Sequence, residues 1–500
     1  MNRVISICLL ALSPSVFCAD LSAEQLLAGV ASVDITDRAA GPVNDPLYVK
    51  ALIISSSDQS FVLITLDAVA IGEIGRIKND YLPEVRSAIA KRFSIKPMNV
   101  MANASHCHGV VRSDVAKLTL QAVQEAFDSR EPVRIGSGWG IEQSIMENRR
   151  LHLKSGRTVD VRHAYALPPE DEVIGTGPVD PSIGVIRINR LDGSTHSVIY
   201  NFACHPIQGV PSGGNTADIT GFASRVIEEN LGPDCTALFV QGCGGDINPR
   251  NYKEVNSPRD AEPLGNQLGL SVLRAVRKID CQPEGELRIL NQSLVLPRGD
   301  QSQRIFELEK RQQKLLDELR GTSLNLKSFL PLVVKYQLDD RFPSYHSYGY
   351  LRDEKTGDES YLKLDAKNRL LIQSYIENIH VMEELTRLQT NLRLLKKHHA
   401  SLIESGQRTI EVEVMGIRIG DAKVVTFPGE LTVQIGLRIK ELSKESKTMV
   451  AGYTNGYIYY APTTEQLENA GGAQEDSDCI LDPTWYPIFE AKALSILQQL

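Results

Sequence analysis

Five apolar runs in this 500-residue chain each stop abruptly at a polar segment containing Gly, Pro or His. Residues 100–104 precede Ser105-His106-Cys107-His108, and residues 198–202 precede Ala203-Cys204-His205-Pro206. Residues 236–240 precede the Gly-rich loop 242–249, residues 423–427 precede Pro428-Gly429-Glu430, and residues 448–452 precede 455–460. Short β-branched runs bounded by turn residues read as strands. Between and around them, 83–93, 117–127 and 220–231 carry helical patterning. Strands alternating with helices specify an α/β fold, here a mixed β-sheet core with flanking helices. In such sheets ligand sites gather at strand ends, where loops hold unusual residues on a rigid frame.

The residues at those ends have the chemistry of metal ligands. In extended chain, residues i and i+2 face one side. His106 and His108 can therefore both face one ion, or one can bind while the other stands beside it. Catalytic zinc sites combine three protein ligands with a water, and neutral imidazole is a common one. Taken singly, each residue has a plainer explanation: polar histidines, a capping carboxylate at Glu430, a half-buried strand tyrosine at Tyr460. Their recurrence at separate strand ends points to one site built from two His, a Glu and a Tyr. The His398-His399 pair reads as surface residues.

The middle of the chain differs. Ile305, Leu308, Leu315 and Leu319 recur at helical spacing, as do Ile372, Ile376, Ile379, Leu388, Leu392 and Leu395. The second stretch amounts to a helix of roughly 50 Å at about 1.5 Å per residue. Together they predict an inserted helical hairpin at about 302–405, packed on the main domain.

Composition narrows the rest. The net charge of −8 excludes the basic footprint of a nucleic-acid partner. Arg3, the apolar run 4–12, the Ser13-Pro14 break and Ala19 read as a signal peptide over 1–19. It is too short to span a bilayer, and no later segment is apolar enough to do so. A secreted or periplasmic protein is expected, with one catalytic domain over 20–500. Beyond the leader lie Cys107, Cys204, Cys235, Cys243, Cys281 and Cys479, without a CxxC pair. A cysteine zinc knuckle is excluded, and these thiols read as small buried hydrophobes.

The motifs occur in a telling order: 29–36 (Gly-Val-Ala-Ser-Val-Asp-Ile-Thr), Ser105–His108, Asn201–Pro206, Gly245–Pro249, Pro428–Thr432 and Asn455–Tyr460. This order resembles the neutral/alkaline non-lysosomal ceramidase family, and its N-terminal catalytic domain in particular. The resemblance covers nearly all the chain beyond the leader except the helical middle. It implies a Zn2+-dependent amidohydrolase that cleaves ceramide into sphingosine and fatty acid. It also implies His106, His205, Glu430 and Tyr460 as zinc ligands, His108 beside the metal, Asp246 in the loop facing it, and Arg149 close to substrate. Three departures stand out. Asn248 occupies the position of the family's loop serine. Gly471-Gly472-Ala473-Gln474 replaces the stretch carrying a second tyrosine. The chain ends 40 residues after Tyr460, so the family's C-terminal immunoglobulin-like domain is not expected.

The implied chemistry is attack by a zinc-activated water. His108 or Asp246 would move the proton, and Asn248 would donate a side-chain N–H to the oxyanion. The substrate class is a lipid or another small molecule. Two rival readings use the same residues: a hydrolase of another small amide, ester or sugar derivative, and a non-catalytic metal- or ligand-binding homologue.

Overall fold

The computed structural model describes residues 24–161, 167–252, 254, 256, 259–344, 346–444, 447–469 and 472–500. The leader expected at 1–19 lies outside them. Among the described residues the largest sheet has eight strands. They are β1 (Leu27–Asp34), β2 (Tyr48–Ser55), β3 (Ser60–Leu66), β4 (Val100–Ala104), β5 (Glu131–Ile141), β6 (Ser182–Arg190), β7 (Thr195–Phe202) and β8 (Thr236–Gln241). Their spatial order is β8-β7-β6-β5-β1-β2-β3-β4. The inner neighbours are antiparallel, while the outermost pairs β3/β4 and β7/β8 are parallel. Parallel neighbours require a crossover. Helix α1 (Tyr81–Phe93) lies between β3 and β4 in the chain. Helices α2 (Val115–Asp128), α3 (Asp218–Leu231) and α4 (Glu262–Val276) complete the outer layer, α3 linking β7 to β8.

Both faces of this sheet are buried, and the strands show why. Alternate residues of a strand face opposite sides. In β2, Val49, Ala51 and Ile53 pack under α1 and α2, whereas Leu52 and Ile54 face a second sheet. That sheet contains β9 (Leu287–Pro297), β10 (Thr409–Ile419), β11 (Ala422–Thr426) and β12 (Thr448–Ala451), in that order. Its last two strands are parallel. Met415, Ile417 and Met449 press on the main sheet.

Between β9 and β10 the chain leaves the sheet as the helical insertion. The structure replaces the expected two-helix hairpin with four helices: α5 (Ser302–Glu318), α6 (Leu326–Leu338), α7 (Ser347–Thr356) and α8 (Ser360–Ser405). Helix α8 has 46 residues, about 69 Å at 1.5 Å per residue. It begins earlier than apolar spacing predicts because a polar contact anchors its first turns. Asp365 is buried and accepts hydrogen bonds from Tyr336 (2.6 Å) and Tyr350 (2.8 Å). Farther along, Leu388, Leu392 and Leu395 form a seam with Leu308 and Leu315 of α5. The insertion does pack on the main domain. Arg387 pairs with Asp160 at 3.1 Å, and His398 Nε2 lies 2.7 Å from Asp478 Oδ1. His398 is therefore buried, which corrects its reading as a surface residue.

Beyond the insertion, α9 (Val433–Leu442) and α10 (Trp485–Gln499) cover the outer face of the second sheet. Trp485 and Phe489 pack on Val414, Val425 and Phe427. The result is four layers: helices, sheet, sheet, helices. Among the described residues no helix is long and apolar enough to cross a membrane. The six cysteines there are free thiols, and all but half-buried Cys281 are buried. Burial pushes the Cys107, Cys204 and Cys243 thiols far above their ordinary pKa, as befits small core residues.

Candidate metal centre

The main sheet curls until its two edges meet. At the meeting point the Gln241 backbone N–H donates to Asn103 Oδ1 at 2.9 Å. The C-terminal ends of the edge strands β4 and β8 thus come together, with β7 paired alongside β8. One side chain then ties both loops, because Gln241 Nε2 donates to Ser105 O (3.0 Å) and to Cys204 O (2.8 Å). Each of those carbonyls immediately precedes a histidine. Asn103 Nδ2 donates to Gly452 O at 2.8 Å, fastening the parallel pair of the second sheet across the same point.

Four of the expected strand ends deliver side chains here. His106 and His205 follow β4 and β7, Glu430 follows β11, and Tyr453 follows β12. Ligand atoms of His106, His205 and Glu430 all lie within 4.8 Å of one another, and all three residues are buried. His205 Nε2 is 3.1 Å and His106 Nε2 is 3.6 Å from Glu430 Oε2. The far side of each ring sets the tautomer. His106 Nδ1 is 2.6 Å from Val69 O, and His205 Nδ1 is 3.0 Å from Ile247 O. A carbonyl only accepts, so both Nδ1 atoms carry the proton and both Nε2 lone pairs face the carboxylate. Burial, reinforced by nearby Arg149, holds the His205 pKa down to about 3, so the ring stays neutral. Two imidazole lone pairs and a carboxylate converging in a buried space repel one another unless a cation lies between them. The donor set therefore fits a divalent ion, and the His/His/Glu composition suits zinc.

The surroundings hold this geometry. Glu430 accepts from Tyr453 Oη at 3.0 Å and from Tyr457 Oη. His106, Tyr453 and Tyr459 sit at φ +71°, +52° and +63°. Left-handed conformations of non-Gly residues cost of order 1–3 kcal/mol each and cluster at functional sites. Gly245 is required by close approach. A Cβ there would lie 2.6 Å from Glu430 O and 2.8 Å from Leu431 O.

The other expected residues take distinct places. Tyr460 is buried and is the parallel-ladder partner of Glu430. Its ring lies 5.6 Å from the Arg149 guanidinium, with which it shares a hydrogen bond. Asn248 is fully buried. Its Oδ1 accepts from Arg149 at 3.2 Å, while its Nδ2 has no hydrogen-bond partner among the described residues. Asp246 is turned toward structure: Oδ1 accepts from the Val433 N–H that opens α9 (2.8 Å), and Oδ2 from Asn148 (3.2 Å). His108 is exposed. The i, i+2 argument assumes extended chain, and the left-handed turn at His106 breaks it. His108 instead meets the His106 ring edge-on at 5.5 Å and lines a 340 Å³ cavity with Val69, Ile77 and Val111.

Arg149 is the centre of a network that motif reading missed. It donates to Glu475 Oε1 at 2.5 Å and to Gly245 O. Arg150 bonds Glu475 (3.1 Å) and Asp476 (2.8 Å). Burial opposes the Arg149 charge, but Glu475 and Tyr460 outweigh it and raise its pKa. Two adjacent arginines and two adjacent acids were the available signal. The tyrosines that grip Glu430 carried none beyond membership of the 455–460 segment or proximity to it.

No family model matches the sequence. Two solved structures are similar to it over 95% of this chain. One is neutral ceramidase from Pseudomonas aeruginosa, with a TM-score of 0.59, 15% identity and 75% of that chain covered. The other is a ceramidase complexed with C2, with the same score and identity and 76% of that chain covered. At that identity the likeness is one of architecture: this chain has the fold of neutral ceramidase.

Proposed function

We propose that this chain is a Zn2+-dependent hydrolase of an N-acyl bond in a ceramide-like substrate, exported by its first 19 residues to the periplasm or beyond. The observation that carries the reading is the convergence of two tautomer-fixed imidazoles on buried Glu430. His106, His205 and Glu430 would hold the ion, and Tyr460, beside Glu430 in the ladder, would complete the set. When bound, zinc supplies a water that ionises near neutral pH and polarises the scissile carbonyl.

The protein's own groups do the remainder. Asn248 points its unshared Nδ2–H away from Arg149, because the guanidinium fixes the amide oxygen on its own side. That N–H is the donor for the oxygen that gains charge. His108, exposed beside the His106 ring, takes the proton from the nucleophile and returns it to the leaving amine. Asp246, with both oxygens engaged, keeps Asn148 and α9 in place around the loop.

A second reading is favoured by one observation. The 340 Å³ cavity at His108 lies at the lower end of ligand pockets, which suits a short-chain amide or ester better than a long acyl chain.

The test is metal analysis of the purified chain, paired with turnover of a fluorescent short-chain ceramide. About one zinc per chain, the stoichiometry of a single catalytic site, is expected, with turnover lost to chelator and restored by zinc. Zinc without ceramide turnover selects the second reading. No metal after zinc is supplied overturns the centre. The Asn248→Ala variant is expected to keep its zinc and lose about 10²–10³ in kcat; an unchanged kcat removes Asn248 from the mechanism.

A further inference from the structure

Helix α6 is apolar on both of its faces. Its inner face is spent on α8: Phe329 stacks on Tyr375 at 4.2 Å, and Tyr336 bonds Asp365. Its outer face repeats every four residues. Leu326, Leu330, Val334 and Leu338 are 61%, 52%, 55% and 81% exposed. Leu330, Val334 and Leu338 continue into a groove of 620 Å³ closed by Pro331, Phe342 and Pro343. A contiguous exposed apolar stripe continuous with a groove and rimmed by polar residues marks an interaction surface.

We propose that the outer face of α6 docks on an anionic lipid surface. Three observations choose lipid over protein. First, the exposed side chains of the helix stripe are all Leu or Val, types under-represented among protein-interface hot spots, where Trp, Tyr and Arg dominate. Second, the charge changes sign locally. The chain carries −8 overall, but residues 320–344 hold Arg320, Lys327, Lys335 and Arg341 against only Asp339 and Asp340. Third, the helix is the right length to lie flat. Its 13 residues span about 20 Å, too short to cross a hydrocarbon core of about 30 Å. An apolar face flanked by lysines is the arrangement of interfacial helices. Helix α8 carries α6 at Tyr375 and the strip 474–478 at His398, about 35 Å apart at 1.5 Å per residue, so the insertion would tether the chain to the surface at that distance from the strip.

This surface stands whether or not the metal centre cleaves ceramide, and the test reads binding alone. The full chain is sedimented with vesicles of phosphatidylcholine, with and without phosphatidylglycerol, at about 0.1 M salt and at about 1 M, where screening lengths shrink to roughly 3 Å. Binding to the anionic vesicles is expected, weaker without phosphatidylglycerol and weaker in high salt. L330D/L338D is expected to lower partitioning at least about tenfold, and K327E/K335E about tenfold on anionic vesicles only. Both pairs are surface changes, and an unchanged Tm verifies the fold. A wild-type chain that stays in the supernatant with every vesicle overturns the proposal. So does equal partitioning of L330D/L338D, or a wild-type dimer in sedimentation velocity that L330D/L338D dissociates, which would assign the face to a second copy.

Discussion

Replacing His205 by Ala is expected to strip the chain of zinc and to lower turnover by at least about 10³. The ion supplies several kcal/mol of transition-state stabilisation, and each 1.36 kcal/mol is a factor of ten. Among the described residues His205 contributes one of two imidazoles facing Glu430, and without it the proposed set keeps His106 alone as a nitrogen ligand beside Glu430 and Tyr460. The contrast is Tyr457→Phe. That change removes only a hydrogen bond to the Glu430 carboxylate, and supporting partners of this kind are worth 10–100-fold in metal affinity. Tyr457→Phe should regain activity when zinc is raised, whereas His205→Ala should not. Metal analysis by mass spectrometry across a zinc titration separates the two. Stoichiometric zinc in His205→Ala would mean that the ion sits elsewhere.

Glu475→Gln is expected to be the most damaging single change to stability near the site. It leaves Arg149 fully buried without its carboxylate, while Arg150 keeps Asp476. Breaking a buried ion pair from one side costs about 3–5 kcal/mol. Urea unfolding should show a lower midpoint with an unchanged slope. The same change loosens Arg149, and with it the orientation of Asn248, so kcat should fall in the folded fraction. A loss below about 1 kcal/mol would show that water reaches the pair and that the network does not close.

The scaffold was readable from the chain because its signals are local. Each of the five apolar runs became a strand, since a continuous apolar run and the turn residues that bound it lie within a few positions of one another. His106, His205 and Glu430 were readable because strand ends are where a sheet exposes backbone for loops. What stayed hidden depends on partners far away in sequence. Glu475 lies 326 residues from Arg149, and nothing near either residue announces the pair. His398 looked solvated because a His-His pair on a long polar helix usually is; only the docking of α8 against Asp478 buries it. The start of α8 was missed because Asp365 is anchored by tyrosines of other helices, which apolar periodicity cannot register. The His108 ring stands edge-on beside that of His106, one of the two placements the motif allowed, because a single left-handed residue resets which way the next side chains point.

The curling of the main sheet sets the order of events during folding. His205 and Glu430 are separated by 225 residues, and their loops meet only after both sheet edges and the second sheet have closed. Closing such long loops must be completed before the contact rewards it, which makes assembly slow. The zinc of the proposed function would therefore not seed this fold as it does in a zinc finger; it would arrive last, bind only the finished chain, and act by raising the barrier to opening. Stripping the metal should accordingly speed unfolding while leaving the refolding rate almost untouched.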